Sequence, residues 1–373
     1  AIVLDSFFSE FTITGGYRYS DYSTGATTDT YKIEGELAPI DDIRFRGGYN
    51  RAVRAPTVQD LFAPQRVALD GSTDPCAGFT ITAADVGCIA QGLRVGQTVA
   101  PNPASQYNGL IGGNPDLVPE VADTYTVGVV LTPTFLPGFT ASVDYFNIKV
   151  EGAIQGIGAD TILEECTTRA DPFFCSLINR DGSGSLWRTS GGYVTDLSQN
   201  IGKLKTAGVD VQLGYSRQIG NAGRLSFSFV GTWLDELNSN PGVPGVDDID
   251  CVGKGGNVCG VPSPEWRHQA RVGFDFTSGF GASLRWRHFD SVELDGGRPG
   301  ADGFPSRDYL DLAFTFEVGD HYDFRLGANN ILDKSPPLTG SQACPAGFCN
   351  GNTYAQVYDA IGRYLYAGVT LEF

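Results

Sequence analysis

The sequence predicts an all-β fold, an antiparallel transmembrane β-barrel, from three observations. Apolar and polar residues alternate with period two in twelve segments, the connections between these segments are alternately short and long, and every cysteine falls in a long connection. Alternation over several residues is typical of a strand with one apolar and one polar face. Alternating strands joined by short turns on one side and by long loops on the other are typical of barrels that cross a membrane.

Composition narrows the class of protein. Only 18% of the 373 residues are charged, against a usual fraction of about 25%, whereas 12% are aromatic, which is too many for a disordered chain. The net charge of −17 excludes a nucleic-acid partner, because phosphate binding needs clustered basic residues. No apolar stretch is long enough for a membrane-spanning helix. Methionine and a signal peptide are both absent, so we expect a processed product, a fragment or the ordered part of a longer protein.

The alternation itself predicts twelve strands. The clearest is 309–318, in which leucine, phenylalanine and valine fill one face and polar residues fill the other. Eleven further segments alternate in the same way: 7–19, 31–37, 43–49, 125–131, 139–145, 209–215, 225–233, 270–276, 280–286, 324–328 and 365–373. The opposite face of these segments carries charged residues. No segment between them predicts a helix.

The connections distinguish a membrane barrel from a soluble sandwich, whose strands also alternate. Five connections are short: 38–42, 132–138, 217–223, 277–281 and 318–321. Five others are long: 53–119, 152–201, 235–263, 291–305 and 331–360. Short turns on one rim and long loops on the other are the layout of an outer-membrane barrel, with the polar face lining a wet lumen. Tyrosine and tryptophan near the strand ends suit aromatic girdles: Tyr17, Tyr19, Trp233, Trp266, Trp286, Tyr364 and Tyr366.

The cysteines provide an independent check on this layout. Eight cysteines form four close pairs, each within one long loop: Cys76 with Cys88, Cys166 with Cys175, Cys251 with Cys259, and Cys344 with Cys349. An even count with local pairing predicts disulfides in an oxidising compartment. Zinc is the alternative, but the last two pairs lack the tight spacing of zinc ligands and have no histidine nearby. The disulfides predict extracellular long loops and periplasmic short turns, and twelve strands put the C-terminus on the short-turn side.

Several motifs, in one consistent order, resemble those of a known family. Segment 51–62, RAVRAPTVQDLF, resembles the R-A-P-x-x-x-E-L-Y/F signature of TonB-dependent outer-membrane receptors, and 113–120, GNPDLVPE, resembles their N-P-x-L-x-P-E element. Segments 144–150 and 327–334 resemble their D-Y-x-x-I-x strand and N-L-F-D-K element, and 362–364 with the terminal aromatic resembles their last strand. The matched positions are Arg51, Arg54, Pro56, Leu61, Phe62, Asn114, Pro115, Pro119, Glu120, Asn330, Asp333 and Phe373.

The resemblance implies a barrel of about 22 strands around an N-terminal plug, whose periplasmic box engages TonB. All matched motifs belong to the second half of that barrel, and neither a plug signature nor a TonB box is found. Residues 1–373 are therefore predicted to be the C-terminal part of the barrel, about twelve strands of it. The N-terminal portion is then absent or a separate chain, or twelve strands close alone. An open half-barrel is disfavoured, because unpaired backbone groups in lipid are costly.

Two sets of family-motif residues lie where strands meet a long loop. Arg51 and Arg54 lie at the end of a strand, before a proline that ends pairing, and could contact a plug or a ligand. The alternative is that they fix the transition from strand to loop. Asn114, Pro115, Pro119 and Glu120 are expected to be architectural, since proline suits a strand entrance better than its centre.

Aromatic and arginine side chains in the long loops are the predicted ligand-binding residues. They are Phe173, Phe174, Arg180, Trp187, Arg188, Tyr193, Tyr354 and Tyr358. Aromatic faces with planar donors suit a sugar, a catecholate or a flat chelate. The alternative is that the same side chains form a small loop core clamped by disulfides.

No metal, cofactor or catalytic site is predicted. Asp247, Asp248 and Asp250 could hold calcium, but they match a calcium loop poorly, and a solvated acidic loop is the preferred interpretation. His268, His288 and His321 are far apart in sequence and match no catalytic motif, so we do not expect an enzyme.

The resemblance implies a Gram-negative outer-membrane receptor that imports a scarce bulky nutrient, such as a ferric siderophore or an oligosaccharide, with energy supplied through TonB. Haem and cobalamin are not excluded as ligands. The implied partners are outer-membrane lipid and lipopolysaccharide, the N-terminal barrel and plug portion, TonB-ExbB-ExbD through that portion, and the nutrient. The alternative function is a passive pore or a structural barrel without a plug.

Overall fold

The computed structural model describes residues 2–3, 8–240, 248–256, 259–295, 303–319, 321–338 and 352–371. In chain order its elements are β1 (Ile2–Val3), β2 (Glu10–Asp21), β3 (Thr27–Ile40), β4 (Ile43–Arg54), α1 (Val58–Phe62), β5 (Arg66–Gly71), α2 (Val86–Ala90), β6 (Tyr107–Ile111), β7 (Glu120–Leu131), β8 (Phe139–Gln155), α3 (Ala159–Arg169), α4 (Pro172–Ser176), β9 (Ile178–Asn179), β10 (Tyr193–Thr195), β11 (Gln199–Ile219), β12 (Gly223–Asn240), β13 (Ile249–Asp250), β14 (Lys254–Gly256), β15 (Gly260–Ser263), β16 (Trp266–Phe276), β17 (Phe280–Phe289), β18 (Glu293–Leu294), β19 (Arg307–Val318), β20 (Tyr322–Asn329) and β21 (Tyr364–Leu371).

One large antiparallel sheet organises the molecule. Its strands follow the order β1-β2-β3-β4-β7-β8-β11-β12-β16-β17-β19-β20-β21, so each long strand pairs with the next long strand along the chain. All twelve predicted strands are confirmed, and β1 adds a short strand at the edge beside β2. Among the described residues the two edges of the sheet do not pair with each other.

The two faces of this sheet differ in polarity. Large apolar side chains are exposed on one face: Val127 is 65% exposed, Ile33 58% and Leu365 70%. We call this side, which also carries Tyr145 and Trp233, the apolar face. The other side, the polar face, is crossed by ion pairs such as Arg46 to Asp144, with nitrogen and oxygen atoms 2.6 Å apart. A period of two residues places the two kinds of side chain on opposite sides of every strand.

The prediction that no helix lies between the strands was wrong. In the described part of the chain four helices occur in the long connections, α1 and α2 in the first and α3 and α4 in the second. Thr57 caps the start of helix α1: its hydroxyl accepts from the Asp60 backbone N–H, and the Asp60 carboxylate accepts from the Thr57 N–H. This capping box stabilises a helix too short to show an apolar period in the sequence.

The first two long connections fold together into a small unit with its own core. We call residues 55–119 and 156–198 the loop unit. A four-stranded sheet, β5-β6-β10-β9, joins the two segments because β10 pairs in parallel with β6. The core combines Tyr107 of the first segment with residues of the second, among them Ile162 and Leu163, which are fully buried. The two segments therefore fold as one body at the long-loop end of the sheet.

Three of the four predicted disulfides are confirmed. Cys76–Cys88 and Cys166–Cys175 lie in the loop unit, and Cys251–Cys259 lies in the third long connection.

The fourth predicted disulfide, between Cys344 and Cys349, falls on residues outside the described ranges and stays a prediction. Within the described residues, each disulfide that the sequence predicts is present. Asp247 and Phe373 also lie outside the described residues.

The later long connections also pack together. Strands β15-β14-β18 form a three-stranded sheet that joins the third connection to the fourth. Val292 and Phe304 of the fourth connection pack with Tyr354 and Tyr358 of the last one in a small buried cluster. Within the described ranges, none of the helices is long and apolar enough to cross a membrane.

Candidate functional site

The long-loop end of the sheet is the candidate functional site. At its base two of the sequence motifs are joined by hydrogen bonds between Arg54 and Glu120, which we call the first latch. Arg54, the last residue of β4, binds Glu120, the first of β7, through two hydrogen bonds: Nε to Oε2 at 2.5 Å and Nη2 to Oε1 at 2.7 Å. The Glu120 Oε1 atom also accepts from the backbone N–H of Ile154 at 2.5 Å. One carboxylate therefore ties together three strands, β4, β7 and β8, where the loop unit begins.

Asparagine side chains extend this first latch. The Asn114 backbone N–H donates to the Asp60 carbonyl at 2.8 Å, and its Nδ2 donates to the Ser198 carbonyl at 2.9 Å. Asn200 binds both the N–H and the carbonyl of Val118, each at 2.7 Å. These contacts hold the start and end of the loop unit together. The contacts join residues of the R-A-P and N-P-x-L-x-P-E motifs, and the architectural interpretation of these motifs stays a prediction.

Arg51 does not take part in this latch. It lies three residues before Arg54 and therefore on the opposite, apolar face. There it lies directly opposite Tyr31 on one neighbouring strand and Asp123 on the other. Its Nη1 atom lies 3.8 Å from the Asp123 carboxylate. The other matched residues of this region divide by burial: Pro56 and Leu61 are buried, Pro119 is half-buried, and Phe62 and Pro115 are exposed.

A second latch joins the last two motifs. Asn330 is fully buried, and its amide binds the backbone N–H and carbonyl of Lys334 at 2.9 and 2.8 Å. The Asp333 carboxylate accepts from the backbone N–H of Arg363 at 2.8 Å. Both Asn330 and Asp333 have positive φ, 51° and 54°, a conformation that asparagine and aspartate adopt more readily than most residues. The turn after β20 and the start of β21 are thereby fixed to each other.

The polar face continues from this second latch into an ion-pair network. Asp311 accepts from Arg285, from Arg287 and from the backbone N–H of Asn330, at 2.8 to 3.0 Å. Arg287 also binds Asp359 through two hydrogen bonds, at 2.9 and 2.6 Å. Alternation placed Asp311 and the arginines on this face, but no pattern in the residues indicates that they meet Asp359, which lies in the last long connection.

Most of the predicted ligand-binding side chains take part in contacts within the loops. Phe174 is 1% exposed, Tyr354 0% and Tyr358 2%, so these rings fill loop cores. The guanidinium of Arg180 is buried against Asp74 and Gln91. The indole N–H of Trp187 donates to the Ala100 carbonyl at 3.1 Å.

The remaining predicted ligand-binding residues are more accessible. Phe173 is 44% exposed, Arg188 lies over the Trp187 ring at 5.4 Å, and Tyr193 is half-buried in β10. Ligand binding by all eight residues stays a prediction. Phe173 and Arg188 are the ones a ligand reaches without opening a core.

Carboxylates shape the electrostatics of the loop unit. Partial burial and the neighbouring carboxylates of Asp196 and Asp160 raise the pKa of Asp70 to about 6. Burial opposes ionisation of Asp181, but hydrogen bonds from Ser183, Ser185 and Thr189 outweigh it and lower the Asp181 pKa to about 2.

In the last connection, burial raises the pKa of the Tyr354 and Tyr358 hydroxyls. Among the residues that the structure describes, no group of three or more histidine, cysteine or acidic residues could hold a metal ion.

Comparisons with known proteins identify the fold and the family of the chain. No curated protein matches the chain significantly in sequence. Among solved structures, the chain is similar to a mutant of the ferric enterobactin receptor PfeA from Pseudomonas aeruginosa, with 14% identity and a TM-score of 0.64. It is also similar to the siderophore receptor PirA from Acinetobacter baumannii (14%, 0.59) and to the FrpB iron transporter from Neisseria meningitidis (14%, 0.53).

These alignments cover nearly all of the chain but under half of each structure. They span 97% of this chain and 43% of the PfeA and PirA chains, and 100% of this chain and 44% of the FrpB chain. At this identity the likeness establishes the fold alone. The sequence profile described as TonB dependent receptor-like, beta-barrel, matches residues 5–331. The chain therefore belongs to the TonB-dependent receptor-like β-barrel family.

Proposed function

We propose that residues 1–373 form the C-terminal part of the barrel of an outer-membrane receptor that imports a scarce bulky nutrient. The family match over residues 5–331 carries this proposal. Solved structures similar to the chain include a ferric enterobactin receptor and a siderophore receptor, so a ferric siderophore is the proposed cargo. An oligosaccharide, which the family resemblance also allows, is the alternative cargo. The long connections face the exterior and the short turns face the periplasm. The remaining strands and a plug come from the portion of the protein outside this chain, through which TonB-ExbB-ExbD supplies energy.

The two latches support a transport role for the barrel wall. They use charged and amide side chains to hold the bases of the long connections, so that loop positions stay fixed relative to the strands. Fixed loops lower the ordering cost of ligand binding. The barrel thus contributes a rigid, polar-lined wall, with the loop unit above it as the surface that a ligand meets first.

A transport assay tests this proposal. Gram-negative cells without their own siderophore receptors would express the whole protein that contains this chain, with and without functional TonB. The probes are ferric enterobactin carrying radioactive iron and a labelled maltooligosaccharide. We expect uptake of one probe that is lost without TonB. Uptake of neither probe would contradict the proposed cargo classes.

A passive pore or structural barrel is the second candidate. The polar face, with its row of ion pairs, would also suit a water-filled channel. Reconstitution of the whole protein in planar bilayers distinguishes the two. Steady conductance together with probe entry that does not depend on TonB would replace the receptor proposal by the pore.

A further inference from the structure

Strand β5 forms a free edge of the four-stranded sheet in the loop unit. The order of that sheet is β5-β6-β10-β9, so β5 has a neighbouring strand on one side only. Among the described residues, no hydrogen bond from another segment reaches the backbone of residues 66–70 on the other side. An edge of this kind presents unpaired N–H and C=O groups to which another polypeptide can pair.

The hydrogen bonds of β6 show which groups of β5 point outward. The Asn108 N–H and the Leu110 carbonyl bind residues of the second long connection, so both residues direct their backbone groups away from β5. The residues opposite them on β5 are Leu69 and Val67. In an antiparallel ladder, both members of such a pair direct their backbone groups away from each other. Val67 and Leu69 therefore offer two N–H groups and two carbonyl groups at the free edge.

The side chains of β5 leave this edge accessible. Leu69 is 60% exposed and Val67 is half-buried. Natural edge strands are commonly protected by lysine or proline, and the β5 sequence, RVALDG, contains neither. Its one basic residue, Arg66, stands at the start of the strand, and a register shift before the buried Gly71 ends the edge. The open part is long enough to pair with a short extended segment.

The charge of the loop unit selects the kind of polypeptide that fits this edge. Residues 55–119 and 156–198 contain eleven acidic and five basic residues, and no lysine. Asp70, at the end of the edge, interacts with the carboxylates of Asp160 and Asp196, which oppose its ionisation together with burial. The ion pairs described in the loop unit are formed by other carboxylates. A basic side chain beside Asp70 would therefore relieve repulsion among these three groups.

We propose that the free edge of β5 binds an extended, basic polypeptide from outside the cell, which joins the sheet as a fifth strand. Backbone hydrogen bonds to Val67 and Leu69 supply affinity, and side chains that alternate along the added strand supply selectivity. Apolar residues of the partner pack on Leu69, while its basic residues approach Asp70. The proposal rests on the exterior position of the long connections in the proposed function, but not on the cargo or on TonB.

Titration of the whole protein with designed peptides tests the proposal. The probes are capped peptides as long as β5, one of alternating lysine and valine and one of alternating glutamate and valine. We expect the lysine peptide to bind about tenfold more tightly than the glutamate peptide, because the loop unit is acidic. Two further probes are lysine peptides that are N-methylated at every lysine or at every valine. One of these two should lose binding and the other keep it, since only alternate N–H groups of an added strand face β5.

Substitutions at Leu69 locate the site. Leu69→Pro removes one outward N–H and leaves the hydrogen bonds to β6 in place, so we expect the lysine peptide to bind roughly fivefold to tenfold more weakly. Leu69→Ala keeps the N–H and should retain most of the binding. Val95→Ala alters a similarly exposed side chain elsewhere in the loop unit and should bind as the unchanged protein does. Protection of the Gly109 amide from hydrogen exchange checks that β5 and β6 stay paired in each variant.

Hydrogen exchange at the Val67 and Leu69 amides completes the test. We expect fast exchange in the whole protein alone and slower exchange once the lysine peptide is added. Slow exchange without peptide would show that another part of the protein covers the edge, and would overturn the proposal. Equal binding of the lysine and glutamate peptides, equal binding of the two N-methylated peptides, or unchanged binding by Leu69→Pro would also overturn it. None of these measurements involves transport, so intact TonB-dependent uptake would leave the proposed function standing in each case.

Discussion

The loop unit and the large antiparallel sheet place their apolar side chains in opposite ways. In the loop unit, Leu163 and Phe174 are buried between helices and a small sheet, as in a water-soluble domain. In the sheet, Val127 and Leu365 are exposed on the apolar face. One chain thus folds for two solvents, water around the loops and lipid around the strands. The difference teaches that the same substitution has different consequences in the two regions.

The largest expected difference between the loop unit and the sheet concerns the removal of one partner of an ion pair. Arg180 and Asp74 in the loop unit are 3% and 0% exposed, whereas Arg46 and Asp144 on the polar face are 43% and 21% exposed. We expect Arg180→Ala to destabilise the loop unit by about 3–5 kcal/mol, because it leaves Asp74 charged, buried and unpaired. Arg46→Ala should cost about 1 kcal/mol or less.

Hydrogen exchange measures both effects in the whole protein. Loss of protection confined to 55–119 and 156–198 in the Arg180→Ala variant is the expected result. Equal loss in the two variants would mean that the loop unit has no water-excluding interior of its own.

Removal of a disulfide is expected to cause the next largest loss of stability in the loop unit. Replacing both Cys76 and Cys88 by serine opens a loop with a sequence separation of 12 residues. The loop-entropy relation gives a cost of roughly 2–3 kcal/mol. We expect proteolysis to cut the loop unit faster in this variant, while the sheet remains resistant. Unchanged proteolysis of the loop unit would show that its core holds without the bridge.

A change of pH is expected to have the smallest effect on the stability of the loop unit. Asp70 on β5 lies beside Asp196, which follows β10 and accepts from the backbone N–H groups of Ile157 and Gly158 at 2.8 and 3.1 Å. Because the pKa of Asp70 is raised to about 6 from 3.8, its protonated form stabilises the folded loops. This stabilisation is present at low pH and is lost as pH rises through about 6.

Protection factors of the β5 and β10 amides check this sign. They should fall between pH 5 and pH 7.5, to be tested at roughly these two values on either side of the Asp70 pKa. The Asp70→Asn variant, which is neutral at both values, should show a flat profile. A fall of the same size in that variant would assign the pH dependence to another group.

The sheet could be predicted from sequence in detail, and the loop unit could not. A strand such as 309–318 separates lipid from water across its two faces, so its period is visible in the residues themselves. The loop unit is built from short elements whose partners lie far away in sequence: Arg180 meets Asp74, and β10 meets β6. Five-residue helices such as α1 and α4 show no readable period.

The candidate site shows the same division. Motif resemblance identified Arg54, Glu120, Asn330 and Asp333, but their pairing into two latches came only from the structure. Asn200, Asp74 and Asp359 were missed because nothing in their local sequence marks them. The ring of Phe174 illustrates the limit of composition, since an aromatic residue in a disulfide-closed loop suits a ligand site and a small core equally well.

Two equally exposed valines test most directly whether the apolar face of the sheet lies in lipid. Val127 in β7 is 65% exposed and Val95 in the loop unit is 62% exposed. Arginine at each position would be compared by denaturant titration of the whole protein folded into lipid vesicles. We predict that Val127→Arg lowers the free energy of unfolding by about 2–4 kcal/mol, whereas Val95→Arg changes it by about 0.5 kcal/mol or less. Equal and small changes in the two variants would contradict a lipid-facing surface on this sheet.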